Sequence, residues 1–414
     1  LLAIGLSLFF LSAADVACGM TRDEAAAIVS ALAGTIEANY FDAESGKRIA
    51  ADLRRMDLAS AIAPVVLAGM LTDLLRRDDG HFAVTYVPAG ATEREQSPFD
   101  YAALSRRQNF GFRAVEVLRG NVGYIDLREF AQVDDASAAA AAAAMGFTAA
   151  ADAMIIDLRY NGGGDPAMVQ LLSSYFFSEP VHLNTMIWRD GGEPRQFWTL
   201  PTVVGVRRPD VALYLLTSGR TGSAAEEFAY NLRALSRAVV IGEATFGAAH
   251  PGGVFDIAPG WQVFISTGRP VNPVTGGNWQ DVGVQPHIAV QQSAAFDRAY
   301  ALALQRLGEQ SKDPQRLKEI AWAQAFDSAR HVGAELVDPI PGNYGNRRIV
   351  TEDGLLRYVR NAGSPWTMLG PVDGWFYLAE SDLRLRVDLQ EPGSAKLIEQ
   401  SISGTEQAFL RQSP

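Results

Sequence analysis

Between Arg22 and Arg77 apolar residues recur at spacings of three and four, as in Ile28, Leu32 and Ile36 and later Leu58, Ile62, Val66 and Met70. That period predicts a helical N-terminal region, opened by Thr21 and Glu24 as a capping box. A connection follows around residues 88–98, and from about Phe112 the pattern changes. Asn121–Leu127 reads as a strand, residues 134–144 as an alanine-rich helix and Ala153–Leu158 as a second, buried strand. Asp165 and Pro166 open another helix, as N-cap and first-turn residue. Val211–Thr217 is a third strand, residues 223–235 a third helix and Val239–Ile241 a short fourth strand. Strand alternating with helix predicts a parallel-rich α/β layer fold.

After Gly247 the chain turns β-rich (254–257, 261–267 and 282–290), then helical again over 293–325. From about Val337 it is β once more. Glu352-Asp353-Gly354 joins two extended runs as a hairpin would, and Leu383–Leu389 alternates strictly. The expected domains are therefore a signal segment (1–19), a helical region with its connection (20–110), an α/β core with trailing helices (111–336) and a small β domain (337–414).

The first fourteen residues form an apolar run interrupted by Ser7 and Ser12, too short to span a bilayer comfortably and suited to the core of a secretory signal whose start is truncated. Export is the expectation, which places the mature chain outside the cytoplasm. Lipoprotein cleavage ahead of Cys18 is the rival, and Asp15 sits badly in such a motif. No other segment approaches transmembrane length.

Composition narrows the chemistry. The 414 residues hold 36 Lys and Arg against 47 Asp and Glu, a net charge of −11 with no basic cluster evident, so nucleic acid is not an expected partner. One cysteine excludes a disulfide scaffold, and five scattered histidines show no metal-ligand spacing. Neither a metal nor a cofactor is expected.

Three segments could carry chemistry. Ser223 stands where a strand exit meets a helix start, which exposes a hydroxyl beside backbone N–H groups that favour an oxyanion. Ser223-Ala-Ala-Glu226 is equally a capping box that an unreactive helix carries. The turn Asn161-Gly162-Gly163-Gly164 permits close backbone approach. It is no dinucleotide loop, since position 167 is Ala, and no Lys follows to make a P-loop. A serine needs a base, and His81 in Asp79-Gly80-His81-Phe82 is one candidate. His250, in a Gly- and Pro-flanked loop, is the competing candidate. Gln280 and Asp281 could orient either, or simply serve a turn.

In this order these segments, with Thr267–Gly276, resemble the tail-specific, or C-terminal processing, serine peptidases. The resemblance covers roughly residues 20–290. It is closest to the branch similar to interphotoreceptor retinoid-binding protein, with tricorn protease more distant. It implies a Clp/crotonase-like core, a peptide or protein substrate, Ser223 as nucleophile, and Gly163 or a neighbour with Ala224 as the oxyanion hole. The processing branch uses a lysine where this chain has Ala248, and a PDZ domain for which there is no room after His81. A tricorn-like arrangement with His81 as base fits better. Relatives commonly carry Glu at the position of Gln280. The β tail resembles one attached to some exported hydrolases. A binding protein for apolar ligands of the retinoid or fatty-acid type, and an esterase using the same serine, are the alternative readings.

Overall fold

The computed structural model describes residues 19–58, 61–87, 100–189, 193–332, 340–361, 363–389 and 395–412. The expected signal run, Cys18 and the connection at 88–98 lie outside the described residues. Two compact units form. The first runs to Val117 and continues over Gly123–Ala299; the second joins Leu118–Val122 to the chain from Tyr300 onward.

In the first unit, helices Arg22–Asn39, Ala43–Arg54 and Pro64–Leu75 form. The period of Ile28, Leu32 and Ile36 is realised, whereas Leu58 and Ile62 lie outside the helices and Val66 and Met70 are exposed, their helix burying Leu67, Leu71 and Leu75 instead. Thr21 and Glu24 form the expected reciprocal cap. Leu32, Ile36, Leu53 and Leu71 are buried against Phe82, Val84, Trp261, Val263 and Ile265. The last five lie on or beside a three-stranded sheet ordered Gly252–Ala258, Trp261–Ser266, Ala83–Tyr86. Both outer strands run antiparallel to the central one. They therefore run parallel to each other and start at the same end. His81 and His250 each lie two residues before such a start, so strand pairing brings them to one edge.

The core of this unit is a six-stranded sheet. Its order is Ile288–Ala289, Val239–Gly242, Ala212–Thr217, Ala153–Asp157, Val122–Leu127, Phe112–Leu118. The first four strands pair in parallel. Helices Asp135–Phe147, Pro166–Ser173 and Ala224–Ala234 pack their buried residues into the same apolar cluster. Every residue of Ala153–Asp157 is buried, as expected of a parallel strand covered on both faces. The mixed α/β core and its helical N-terminal partner are as anticipated. The sheet Gly268–Val271, His182–Trp188, Arg195–Trp198 was not.

In the second unit eight strands follow chain order from Gly342–Tyr344 to Glu406–Leu410. A bridge between Tyr344 and Arg411 closes them into a barrel, which removes the exposed edges. Ile349, Tyr358, Met368, Leu385 and Leu397 form one buried cluster of the unit. Arg347 and Glu399 are also buried and pair at 2.6 Å. The helical stretch at 293–325 is two helices, Ala295–Gln310 and Pro314–His331, broken where Asp313 caps the second and Pro314 opens it. The second helix packs within this unit, where Trp322 and Phe326 are buried against Trp375 and Tyr377. Among the described residues no helix is long and apolar enough to cross a membrane.

Candidate active site

One half of the site is built around Asp79, which is 2% exposed. The turn after Pro64–Leu75 folds Asp79 back so that Oδ1 accepts the His81 backbone N–H at 2.9 Å. The same oxygen lies 2.7 Å from His81 Nδ1. A carboxylate can only accept, so Nδ1 carries the proton and Nε2 keeps its lone pair. Tyr40 donates to Oδ2 at 3.3 Å, and His250 Nδ1 sits 3.6 Å from that oxygen, beyond hydrogen-bond reach. Burial works against ionisation of Asp79, but the two imidazoles and the His81 amide outweigh it and hold the carboxyl well below its ordinary range. Burial, then the Asp79 charge, pushes the Tyr40 phenol well up.

The other half is the turn into helix Ala224–Ala234. Ser223 has φ 51° and ψ −122°, a strained conformation for a residue with a side chain. Such strand-to-helix elbows raise a hydroxyl out of the backbone, here without a GxSxG sequence. Glu226 accepts the Ser223 N–H at 2.8 Å. The same buried carboxylate accepts Thr245 Oγ1 at 2.5 Å, the Gly247 amide at 2.6 Å and the Ala248 amide at 2.9 Å. Burial raises its pKa, with the four donors pulling the other way.

The glycine turn closes on this elbow. Gly163 has φ 118°, and a Cβ there would stand 2.7 Å from Ser223 Cβ and 2.9 Å from the Gly222 carbonyl oxygen. Only glycine fits. Asn161 anchors the turn: its side-chain amide donates to the Leu127 carbonyl at 3.0 Å, and its carbonyl accepts the Gly222 N–H at 3.0 Å.

Residues 245–250 join the halves. Glu226 holds their first part, and Gln280 Oε1 accepts the Ala249 and His250 amides at 2.8 and 3.2 Å. Trp279 Nε1 donates to the Ala248 carbonyl at 3.1 Å. A hydrogen-bonded path thus runs from Ser223 through Glu226 and this loop to Gln280, whose Nε2 lies 3.4 Å from His81 Nδ1. No hydrogen bond joins Ser223 to His81 directly among the described residues.

Two expectations need correction. Gln280 does not orient a histidine as an acceptor. Its oxygen is occupied by two amides, so its NH₂ faces His81 and donates to Asp281 Oδ1 at 2.8 Å. Asp281 is thereby tied to Gln280. The acceptor for His81 is Asp79, two residues before it in Asp79-Gly80-His81-Phe82, where no role was expected of it. Second, the Gly163 amide is not open for an oxyanion, because it donates to Asn161 Oδ1 at 2.9 Å. The amides of Gly164 and Ala224 make no hydrogen bond to the described residues. Ala224 heads its helix, where the first N–H groups have no intrahelical acceptor. His250, the rival base, is 9% exposed and packs on Phe41 with ring centroids 4.2 Å apart. The structural role of Glu226 beyond helix capping was also missed; its signal was the same Ser-x-x-Glu spacing. Among the described residues no group of three or more His, Cys, Asp and Glu side chains could hold a metal ion.

The sequence profile of Peptidase family S41 matches residues 121–290, which hold the elbow and the glycine turn. The carboxyl-terminal-processing peptidase 1, chloroplastic, of Arabidopsis thaliana is 28% identical over 224 residues, which is 52% of this chain and 43% of that protein. The chain thus spans less than half the length of this curated relative. Among solved structures, a candidate peptidase from Parabacteroides merdae superposes with a TM-score of 0.51 at 18% identity, covering 68% of this chain and 96% of that one. A photosystem II D1 C-terminal processing protease gives 0.45 at 15% identity, covering 65% and 94%. Residues 121–290 are a Peptidase family S41 domain, and the resemblance to C-terminal processing peptidases stands.

Proposed function

We propose that this S41 domain makes the chain a serine peptidase that cleaves peptide bonds through an acyl-enzyme on Ser223, with His81 as general base and Asp79 as the group that orients it. The observation that carries the reading is the buried 2.7 Å contact between Asp79 and His81 Nδ1, which leaves Nε2 as a proton acceptor. The reaction requires His81 Nε2 to come within hydrogen-bond reach of Ser223 Oγ once substrate is bound. Ser223 Oγ then attacks the carbonyl carbon while its proton passes to His81 Nε2. Asp79 stabilises the imidazolium without itself taking the proton. The amides of Ala224 and Gly164 receive the oxyanion. The imidazolium returns its proton to the leaving amine, and water, deprotonated by the same histidine, releases the acyl group. Glu226 touches no reacting atom and acts as a positioning residue for the elbow.

The apolar run at residues 1–14 supports export of the chain, so its substrates are proposed to be extracytoplasmic. The test is turnover of a quenched fluorescent protein substrate by wild type, Ser223→Ala and His81→Ala. The expected result is a loss of at least about 10³-fold in both variants with folding intact. Equal turnover by Ser223→Ala would remove the reading. Tight uptake of a fatty acid with no turnover of any peptide would favour the binding-protein alternative.

A further inference from the structure

Three loops at the carboxyl ends of neighbouring core strands carry two arginines and a tyrosine that the proposed chemistry does not use. Arg128 follows Val122–Leu127, Tyr160 follows Ala153–Asp157 and Arg220 follows Ala212–Thr217, three strands adjacent in the sheet. The Arg128 guanidinium carbon stands 4.4 Å from the Tyr160 ring centroid, and that of Arg220 5.6 Å. Tyr160 is 42% exposed. The same loops form the elbow and the glycine turn: Asn161 ties Leu127 to Gly222, and Arg220 lies three residues before Ser223.

Arg128 also lines a cavity of about 390 Å³ together with Arg107 and Arg113, and no carboxylate is part of that lining. Asp126 behind it is held by Arg128 in two bonds of 2.5 and 2.7 Å and faces Arg113 at 3.7 Å. Neither Arg107 nor Arg220 has a carboxylate partner among the described residues. Two guanidinium groups without a carboxylate, Arg107 and Arg220, thus flank the Arg128–Tyr160 stack in a chain whose net charge is −11.

Resting on the peptidase reading of Ser223, we propose that this arginine ledge is a substrate subsite that takes a carboxylate of the peptide. The source is either the α-carboxylate at its end or an acidic side chain close to the scissile bond. Ligands of open α/β sheets settle beyond the carboxyl ends of the strands, where these groups converge. Guanidinium forks match carboxylates in two parallel bonds. The fork of Arg128 is taken by Asp126 and holds the Tyr160 ring in place. Stacking on that ring pre-orders Arg220, so less side-chain freedom is lost when the anion arrives.

Ser223→Ala protein allows binding to be read without turnover. Three short acetylated peptides of one sequence serve as probes: one with a free C-terminus and no acidic side chain, one amidated with a single glutamate, one amidated and neutral. Calorimetry should show one of the two carboxylate peptides binding about tenfold more tightly than the neutral one. The arm that wins identifies the source of the carboxylate. High salt and the added pair Arg107→Gln/Arg220→Gln should each shrink that preference. Equal affinity for all three peptides, no binding of any, or a preference that survives in the double variant would overturn the subsite. A preserved preference with no turnover by wild type would overturn the peptidase reading alone.

Discussion

Asp79 and Glu226 are both buried carboxylates, one at the centre of each half of the site, and their surroundings drive them in opposite directions. Asp79 faces two imidazoles, a phenol and one amide, and is held ionised. Glu226 faces one hydroxyl and three amides, and burial raises it despite all four. The number of donors does not decide the outcome. Partners that can themselves become charged stabilise the anion through space as well as through the bond; neutral dipoles offset only part of the lost hydration. The first arrangement is suited to holding a charge against a developing imidazolium, the second to fixing a backbone turn.

The largest effect that would break this comparison is expected from Asp79→Asn. An amide can present its NH₂ to His81 Nδ1 and so select the wrong tautomer. Turnover of a peptide substrate should fall by about 10³- to 10⁴-fold while the fold survives. Steady-state kinetics within tenfold of wild type would show that His81 is oriented by something else.

A third buried carboxylate sharpens the contrast, because its partner is a permanent cation. Arg347→Met leaves Glu399 charged and alone in the second unit, at a cost of about 3–5 kcal/mol in denaturant unfolding. Peptide turnover, which uses only groups of the first unit, should not follow.

Glu227 tests the case of a carboxylate with one neutral donor. Burial, opposed by the Asn184 amide at 2.6 Å and aided by Asp165, pushes its carboxyl up to about 7. A raised folded-state pKa contributes stability below the ordinary value near 4.5 that is lost as pH rises through about 7. Glu227→Gln should therefore stabilise the chain by roughly 3 kcal/mol above neutral pH and leave it unchanged in mild acid. Asp79 has the opposite sign: its stabilisation is present at neutral pH and lost only as pH falls below about 3.8 towards its depressed folded-state pKa. Unfolding curves across pH separate the two windows, and an acid limb unchanged in Asp79→Asn would contradict the assignment.

Glu226→Gln is the mildest change. One amide oxygen must serve donors that two oxygens served before, and its NH₂ meets an amide N–H head on. A loss of about 2 kcal/mol is expected. As a positioning residue, Glu226 should affect kcat more than KM, and Glu226→Asp should not restore it, because the shorter arm cannot span Ser223 and Gly247 together.

Much of the first unit was legible because its elements obey single periods. The alternation of buried strands with capped helices predicted the α/β core, and Asp134, Asp165 and Thr21 marked helix starts at the observed places. The sheet containing His182–Trp188 was missed; one of its two pairings spans a long sequence separation, as Thr185 with Val271, although the other joins Thr185 to the nearby Gln196. The break at Asp313-Pro314 was overlooked although its capping chemistry was plain. At the site, residue types offered Ser223 as a candidate nucleophile and left His81 and His250 both open as its base. They could not show which oxygen His81 faces, because Gln280 is turned by the Ala249 and His250 amides, and that follows only from the fold. Nor could they show that Asn161 consumes the Gly163 amide.

The central claim is that Asp79 and His81 activate Ser223. The most direct measurement is the rate at which a fluorophosphonate probe labels the purified protein, followed by identification of the modified residue. The account predicts labelling at Ser223, none in Ser223→Ala, and rates slowed by about 10³-fold in both His81→Ala and Asp79→Asn. A folded wild type that does not react, or one whose labelling is unchanged in His81→Ala but lost in His250→Ala, would contradict it.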